Sequence, residues 1–545
     1  MNIKSLSVVI ILFALLLTAC ASRATPYTDI KSVEVVKEQK PVVTVPQGAS
    51  APTSAPLAAQ PRLPAPTAAP VLVQPQQPAP TSLPLPGTVP TPSDNTFQNY
   101  GINPFVDTSE DHLSTFALDV DTASYAVARS YVKDGNQPPA EAIRVEEFVN
   151  YFNQGYPTPE NIAFGIYADG APSPFHYDNT YILRFGIQGY RVPEWQRKPL
   201  SLTFVIDVSG SMRENNRLEL VKQSLKMLVD RLDPEDTVAI VVYSTNTRVV
   251  LNPTNDRNLI TNAIYDLHPE QTTNVEAGLR LGYQVAMQAY RSGATNRVIL
   301  CSDGVANVGQ TDPKAILSEV RGYVDEGVTL TTVGVGMGNY NDVLLEQLAD
   351  NGNGNYAYVD TPEEARKLFV ENLTSTMQVI ALNAKVQVDF NPDIVYRYRL
   401  IGYENRAVAD QDFRNDAVDA GEIGAGHSAT ALYAVQFKPN AQGRIATVQL
   451  RWEDPQTRQV QEINGNFNTW DMAETFENAS PYYQLSVVTA QYAEILRHSP
   501  WGASSAPYMV VQHASRLTSL FPNEPDVIEF ANLVSRAFQI GALGE

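Results

Sequence analysis

Two different periods of apolar and polar residues divide this chain into units. Between residues 198 and 380, apolar runs of strand length alternate with segments in which apolar residues recur every three to four positions. Unbroken apolar runs are typical of strands buried on both faces of a parallel sheet, and the intervening segments predict helices that cover it. The predicted strands are Leu202 to Ile206, Val238 to Tyr243, Arg297 to Cys301 and Leu330 to Val335, with a short Arg248 to Leu251 strand that could pair antiparallel at an edge.

The helices between these strands complete the unit. Such alternation implies a mostly parallel sheet with helices on both faces, which is an α/β fold. The predicted helices are Leu218 to Leu232, Asn258 to Leu267, Val275 to Tyr290, Pro313 to Glu326, Asp342 to Ala349 and Pro362 to Ile380.

On both sides of this unit the pattern changes. Lys385 to Phe390 and Ala446 to Trp452 alternate apolar and polar residues, as half-buried antiparallel strands do. Ile162 to Tyr167 and Thr180 to Ile187 are also strand-like and precede residue 198. We therefore expect the α/β unit to be flanked by, or inserted into, one β-rich domain. Further helices are predicted over Thr122 to Val132 (N-capped by Asp119 or Asp121), Val145 to Phe152, Leu485 to Leu496, Val510 to Leu520 and Val527 to Phe538.

The length of 545 residues suggests roughly two to four domains. The formal net charge of -20 and the pI near 4.8 argue against a surface that follows nucleic acid phosphates, so no nucleic acid partner is expected. The predicted organisation is a lipoprotein signal peptide over 1–19, a disordered Pro/Ala-rich tether over 20–95, an N-terminal α+β region over 96–197, the α/β unit over 198–380, a β-rich domain over 381–480 and a C-terminal helical region over 481–545.

The first 20 residues predict export. Lys4 precedes an apolar stretch from Val8 to Leu17, and small residues follow it, which is typical of a cleaved secretion signal. Leu17-Thr18-Ala19-Cys20 resembles the bacterial lipobox, which implies that Cys20 becomes the first residue and carries acyl chains. The alternative is an ordinary cleaved signal with an incidental cysteine. Ala21 after the cysteine implies, by the same resemblance, an outer-membrane location in a cell that has an outer membrane.

The tether and the second cysteine bear on how the protein is held. At about 3.1 Å per residue, a proline-rich segment of about 70 residues could reach on the order of 200 Å. Cys301 lies in an apolar strand, where a packed thiol is expected. With Cys20 acylated, no second thiol remains for a disulfide within the chain.

Acidic and hydroxyl side chains follow two of the predicted buried strands. Asp207-Val208-Ser209-Gly210-Ser211 closes the first strand, and Asp303 follows Cys301 and Ser302 at the end of another. Gln271-Thr272-Thr273-Asn274 adds hydroxyls in the loop before a helix. The carboxyl ends of strands in an open α/β sheet are the usual place for ligands, and hard divalent cations prefer oxygen ligands.

These residues resemble the metal-ion-dependent adhesion site of von Willebrand factor type A domains, whose fold is Rossmann-like. Asp207, Ser209 and Ser211 match its DxSxS motif, Thr273 its separate threonine and Asp303 its later aspartate. The resemblance implies that the three hydroxyls bind Mg²⁺, Mn²⁺ or Ca²⁺ directly. It also implies that the two aspartates hold coordinated waters and that one position stays open for the carboxylate of a partner.

The match is incomplete at the threonine. Many relatives have glycines before Thr-Asn, where this chain has Gln271 and Thr272, so Thr273 is the predicted ligand and Thr272 the alternative. Further spans resemble the bacterial YfbK-like proteins, and this resemblance implies export, a central type A domain and a C-terminal domain of unknown function, but it brings no activity with it. These spans are Arg144 to Phe152, Gly338 to Asp342, Gly352 to Tyr358 and Leu400 to Arg406.

The remaining sequence motifs do not support dinucleotide binding or zinc-dependent hydrolysis. Gly334-Val335-Gly336-Met337-Gly338 lacks the spacing of a dinucleotide-binding loop, so a structural glycine turn is favoured. The sequence has no HExxH motif and no nearby His-Cys cluster, which argues against a zinc hydrolase.

We therefore expect a non-enzymatic, lipid-anchored protein of the cell envelope that binds an acidic side chain of a protein partner through a divalent cation. One alternative is an envelope hydrolase with its site in the flanking domains. Another is an assembly factor for envelope complexes that uses the same cation chemistry. The sequence does not indicate whether the protein forms oligomers.

Overall fold

The computed structural model of this chain describes residues 31–32, 36–37, 95–118, 120–160, 162–271, 273–304, 313–337 and 340–544. The predicted signal peptide, Cys20, most of the predicted tether, Asp119 and Thr272 lie outside these residues.

The described strands, in chain order, are β1 (Lys31–Ser32), β2 (Val36–Lys37), β3 (Val106–Asp107), β4 (Leu113–Ala117), β5 (Phe164–Pro172), β6 (Thr180–Gly189), β7 (Leu200–Asp207), β8 (Thr237–Tyr243), β9 (Arg248–Thr254), β10 (Thr295–Ser302), β11 (Thr329–Val335), β12 (Tyr356–Val359), β13 (Val379–Phe390), β14 (Val395–Ile401), β15 (Gly421–Gly424), β16 (Ser428–Phe437), β17 (Arg444–Glu453) and β18 (Val460–Asn468).

The described α-helices are α1 (Ala123–Lys133), α2 (Val145–Asn150), α3 (Arg217–Val229), α4 (Arg257–Tyr265), α5 (Val275–Gln288), α6 (Pro313–Asp325), α7 (Asp342–Asn351), α8 (Pro362–Arg366), α9 (Leu373–Met377), α10 (Pro481–Leu496), α11 (Pro507–Leu520) and α12 (Pro525–Gln539).

The α/β unit is built on one sheet with the strand order β12-β11-β10-β7-β8-β9. Neighbouring strands from β12 to β8 are parallel, and β9 is antiparallel to β8 at the edge, as the sequence predicts. Val205 packs into the apolar core on one face, whereas Phe204 and Ile206 pack into the core on the other. The unbroken apolar run of β7 follows from this burial on both faces.

The β-rich part is assembled from strands on both sides of the α/β unit. β6 pairs antiparallel with β16, and β4 pairs antiparallel with β13. Residues of both antiparallel sheets, including Phe185 and Val388, share one apolar core. The α/β unit is thus inserted into a β-rich domain, which is one of the two arrangements that the sequence predicts. The two-residue strands β1 and β2, within the predicted tether, pair with β5 and β18.

The C-terminal helices pack on this β-rich domain. Nearly every residue of α10 is buried, because it lies between α2, α11 and the sheet that contains β16. Buried ions join α10 to β14, since Glu494 contacts Arg399 at 3.0 Å and Arg497 at 2.9 Å. Within the described ranges, none of the helices is both long enough and apolar enough to cross a membrane.

Three expectations about secondary structure are wrong in detail. The helix predicted over Pro362 to Ile380 is interrupted by a π-helical turn over Lys367–Glu371 and ends at Met377, because Val379 and Ile380 join β13. The four-residue strand β12 was not expected, since its apolar run is too short to stand out. Asp121 does not cap α1; its Oδ1 accepts from the backbone N–H of Tyr356 at 3.1 Å, and Thr122 is the N-cap residue.

Candidate metal site at the strand ends

The two predicted acidic residues leave the sheet side by side. β7 and β10 are adjacent and parallel, and Ile206 is opposite Cys301 in their register. Asp207 and Ser302 are the last residues of these strands, and Asp303 follows. Parallel strands end at the same edge of a sheet, so both carboxylates emerge there.

In the loop after β7, Ser209 hydrogen-bonds to the Asp207 carboxylate, and the Ser211 hydroxyl lies beside that of Ser209. Asp207 Oδ1 accepts from the backbone N–H of Ser209 at 2.8 Å, which holds the loop in a tight turn. The Oγ atoms of Ser209 and Ser211 lie 3.0 Å apart. Ser302 Oγ donates to Asp207 Oδ2 at 3.3 Å, and this contact links the ends of the two strands.

A second loop contacts the first. The backbone N–H of Gly210 donates to the carbonyl oxygen of Gln271 at 3.4 Å, and the N–H of Glu270 donates to that of Val208 at 2.5 Å. Thr273 follows in this loop, is half-buried, and directly precedes Asn274, the N-cap residue of α5. The structure therefore brings the DxSxS residues and Asp303 together and places Thr273 in the loop that packs on them.

The site contains two neighbouring carboxylates, and Arg217 neutralises only part of their negative charge. Burial and the nearby charge of Asp303 raise the pKa of Asp207 to about 7, although hydrogen bonds from Ser209 oppose the rise. Asp303 Oδ2 accepts from Arg217 Nη1 at 2.9 Å. A divalent cation would favour ionisation of both carboxylates.

The donor set fits a hard divalent cation such as Mg²⁺, Mn²⁺ or Ca²⁺. All the predicted ligands offer oxygen, two as carboxylates and three as hydroxyls. In the part of the chain that the structure describes, no group of three or more His, Cys, Asp or Glu side chains is arranged to hold a metal. An ion at this edge would therefore depend on the Ser209, Ser211 and Thr273 hydroxyls.

Two residues of the site were missed by sequence reasoning. Ser302 adjoins Asp303 and resembles any polar residue at a strand end. Arg217 is the first residue of an amphipathic helix, where a charged residue is usually exposed, and nothing in the local pattern indicates that it reaches Asp303.

The remaining singled-out residues are structural. Cys301 is buried in β10, and burial raises the pKa of its thiol to about 12, which suits a packed thiol. Gly334 belongs to β11, and Gly336 directly follows this strand with a φ of +75°, so a turn is confirmed at Gly336. Gly338 lies outside the described residues.

Comparisons with known proteins define the class of the fold and site. Residues 201–372 match the family described as von Willebrand factor type A domain, and residues 91–183 match one described as von Willebrand factor. Residues 375–540 match the family described as Uncharacterized protein YfbK, C-terminal. Residues 201–372 thus form a von Willebrand factor type A domain. Domains of this type commonly mediate protein interactions and often bind a divalent metal.

Individual relatives narrow the class. The chain is 35% identical over 457 residues to Uncharacterized protein YfbK of Escherichia coli, and the match covers 78% of each protein. It is 29% identical to Uncharacterized protein sll0103 of Synechocystis, over 49% of this chain and 64% of that protein. The solved von Willebrand factor type A structure from Catenulispora acidiphila is 16% identical, covering 63% of this chain and 82% of that chain at a TM-score of 0.39. The chain belongs to the YfbK family, as its sequence motifs predict.

Proposed function

We propose that this chain is a non-enzymatic binding protein that captures an acidic side chain of a protein partner through a divalent cation. The cation is held by Asp207, Ser209, Ser211, Thr273 and Asp303. The observation that carries the proposal is the convergence of two buried carboxylates and the Ser209-Ser211 hydroxyl pair at one sheet edge.

The charge of such a site explains why it favours an anionic partner. An ion bound largely through neutral hydroxyls and water keeps much of its positive charge. A carboxylate from a partner then binds the ion favourably, because it neutralises the remaining positive charge of the ion. The same chemistry serves an assembly factor for envelope complexes, which differs from an adhesion protein only in its partner.

We place the protein in the cell envelope through acyl chains on Cys20, with the proline-rich tether separating the folded part from the membrane. This part of the proposal is supported by the sequence alone. One acyl chain gives weak membrane binding and several give stable anchoring, so a fully acylated cysteine would suffice.

Titration of Mg²⁺ and of Mn²⁺ into the full chain tests the ion site. We expect saturable binding at one site, which Asp207→Ala abolishes because it removes one carboxylate and the turn that positions Ser209. Isothermal titration calorimetry measures both. Equal binding by the wild-type and variant proteins would exclude this site.

Partner capture tests the bridging mechanism. Proteins retained by the full chain in Mg²⁺ are compared with those retained in EDTA and with those retained by Asp207→Ala. We expect the same proteins to be lost in both cases. A partner set that EDTA leaves unchanged would rule out a cation bridge.

Cell fractionation of Cys20→Ser tests the anchor. We expect the variant to leave the membrane fraction, because the only acyl acceptor proposed here is missing. Continued membrane retention would contradict lipidation at Cys20.

One observation favours the alternative of a hydrolase in the flanking domains. Ser173 Oγ lies 3.1 Å from His176 Nδ1, and His176 Nε2 lies 3.2 Å from the carbonyl oxygen of Trp501. The pair lines a small, mostly apolar cavity. However, Ser173 Oγ also accepts from the N–H of Phe175, as in a local turn. Labelling by a fluorophosphonate probe that Ser173→Ala abolishes would support a hydrolase; no labelling would exclude a nucleophilic Ser173.

A further inference from the structure

Arg217 is a buried cation at the edge of the candidate metal site. It is only 2% exposed, although it begins helix α3. Besides Asp303, its guanidinium donates to the carbonyl oxygen of Ser211 at 3.2 Å and to that of Met337. These three acceptors belong to the loops after β7, β10 and β11. A single side chain therefore ties together three loops at the strand ends.

The chain takes an unusual path to bring Arg217 to this position. Asn215 and Asn216, which precede it, have φ values of 47° and 58°. Two successive non-glycine residues in the left-handed region are disfavoured, and asparagine tolerates this region better than most residues. The turn they form returns the chain from the exposed Arg213 to the buried Arg217, so that Arg217 reaches the Ser211 carbonyl.

The glycine turn after β11 makes room for Arg217. A Cβ atom added at Gly336 would lie 2.2 Å from Arg217 Nε and 2.5 Å from its Cδ. Such an approach is too close for any side chain larger than hydrogen. Gly336 thus has a packing role that its sequence motif does not reveal, and the loop after β11 is shaped around the arginine.

The charge of Arg217 has two effects at this site. It offsets part of the repulsion between the Asp207 and Asp303 carboxylates, which keeps the loops together without an ion. It also repels a divalent cation that enters the same site, because like charges at short range in a poorly solvated place interact strongly.

We propose that Arg217 is the positioning residue of the cation site. It holds the loops of the site in place when no ion is bound, and it lowers the affinity of the site for divalent cations. The ion then exchanges readily instead of remaining permanently bound. This inference rests on the proposed function, since it requires a divalent cation to enter between Asp207 and Asp303.

Hydrogen–deuterium exchange of the full chain in EDTA tests the positioning role. In Arg217→Met, the amides of Ser209 and Gly210 are expected to exchange at least about tenfold faster than in the wild-type protein, while the central strands keep their protection. The matched control is Arg213→Met, which removes an exposed arginine four residues away and should leave these amides unchanged. Wild-type protection in Arg217→Met would overturn the proposal.

Mn²⁺ titration of the same proteins tests the effect on affinity. Arg217→Met is expected to bind Mn²⁺ about tenfold more tightly, and Arg213→Met about as tightly as the wild type. The loss of repulsion should outweigh the looser loops, because the hydrogen bonds of Gly210 and Glu270 to the neighbouring loop do not involve Arg217. Unchanged or weaker binding would overturn the affinity claim.

A second variant keeps the test valid if Arg217→Met does not fold. Gly336→Ala leaves the arginine in the chain but fills its space, so the same amides should exchange faster. Wild-type exchange in Gly336→Ala would overturn the packing argument. If neither the wild type nor the variants bind Mn²⁺, the proposed cation site is wrong. The exchange measured in EDTA still decides whether Arg217 positions the loops.

Discussion

Asp207 and Glu494 are both buried carboxylates, but their pKa values shift in opposite directions. Burial opposes the ionisation of Glu494, yet Arg399 and Arg497 outweigh it and lower the pKa to about 2. Burial and Asp303 raise the pKa of Asp207 to about 7. Since burial raises the pKa of both carboxylates, the charges around them decide the outcome: two arginines lower the pKa of Glu494, whereas a second carboxylate raises that of Asp207 further.

The largest expected effect concerns Glu494, whose charge is neutralised by two arginines. Glu494→Gln leaves Arg399 and Arg497 buried without the carboxylate between them, and loss of one partner of a buried ion pair costs about 3 kcal/mol or more. Urea unfolding followed by tryptophan fluorescence measures the loss. Glu219→Gln is the control, since Glu219 is exposed in its pair with Lys222 and should cost less than about 0.5 kcal/mol. Equal losses of unfolding free energy in the two variants would mean that the buried ion cluster stabilises the fold no more than the exposed pair does.

The pH dependence of Glu494 sharpens the same contrast. Its pKa of about 2 in the folded chain lies below the ordinary 4.5, so its stabilisation is fully present above about pH 4.5 and is lost as pH falls toward 2. A lowering of this size corresponds to about 3 kcal/mol. The difference in unfolding free energy between the wild-type chain and Glu494→Gln, measured at pH 7, 4.5 and 3, should therefore shrink with acid. A constant difference would contradict the lowered pKa.

The next effect concerns the cation site proposed at Asp207 and Asp303. Mn²⁺ at a hundredfold excess over its dissociation constant should stabilise the wild-type chain by about 2.7 kcal/mol. Asp303→Asn should lose most of this increase, because it removes one of the two carboxylates at the sheet edge. Asp230→Asn, an exposed aspartate at the end of α3, should keep the increase. The change in melting temperature on adding Mn²⁺ is the measurement, and an increase retained by Asp303→Asn would contradict the site.

The smallest effect separates the two candidate threonines. Thr273→Ala should weaken Mn²⁺ binding about tenfold, which is about 1.4 kcal/mol, because one hydroxyl ligand is lost. Thr272→Ala should bind as the wild type does. Calorimetric titration of both variants decides between them, and the opposite result would assign the ligand to Thr272.

Much of this architecture follows from local pattern. The apolar runs of β7 and β10, and the acids directly after them, are visible in the sequence because each depends on neighbours a few positions away. The contact of Arg217 with Asp303 is not visible, since 86 residues separate them and only the assembled sheet brings their loops together. The end of α9 was missed for a related reason. Val379 and Ile380 continue a helical pattern locally but belong to β13, in which Val379 pairs with the distant Gly424.

The insertion of the α/β unit also orders events during synthesis. Thr180 of β6 pairs with Gln436 of β16, 256 residues later. Until that later strand emerges, the β6 edge has no partner, whereas the parallel sheet can complete itself from contiguous chain. Contacts between such distant residues form slowly, and unpaired strand edges promote aggregation. A nascent chain of this kind therefore passes through a stage in which its middle is folded and its first strands still require protection.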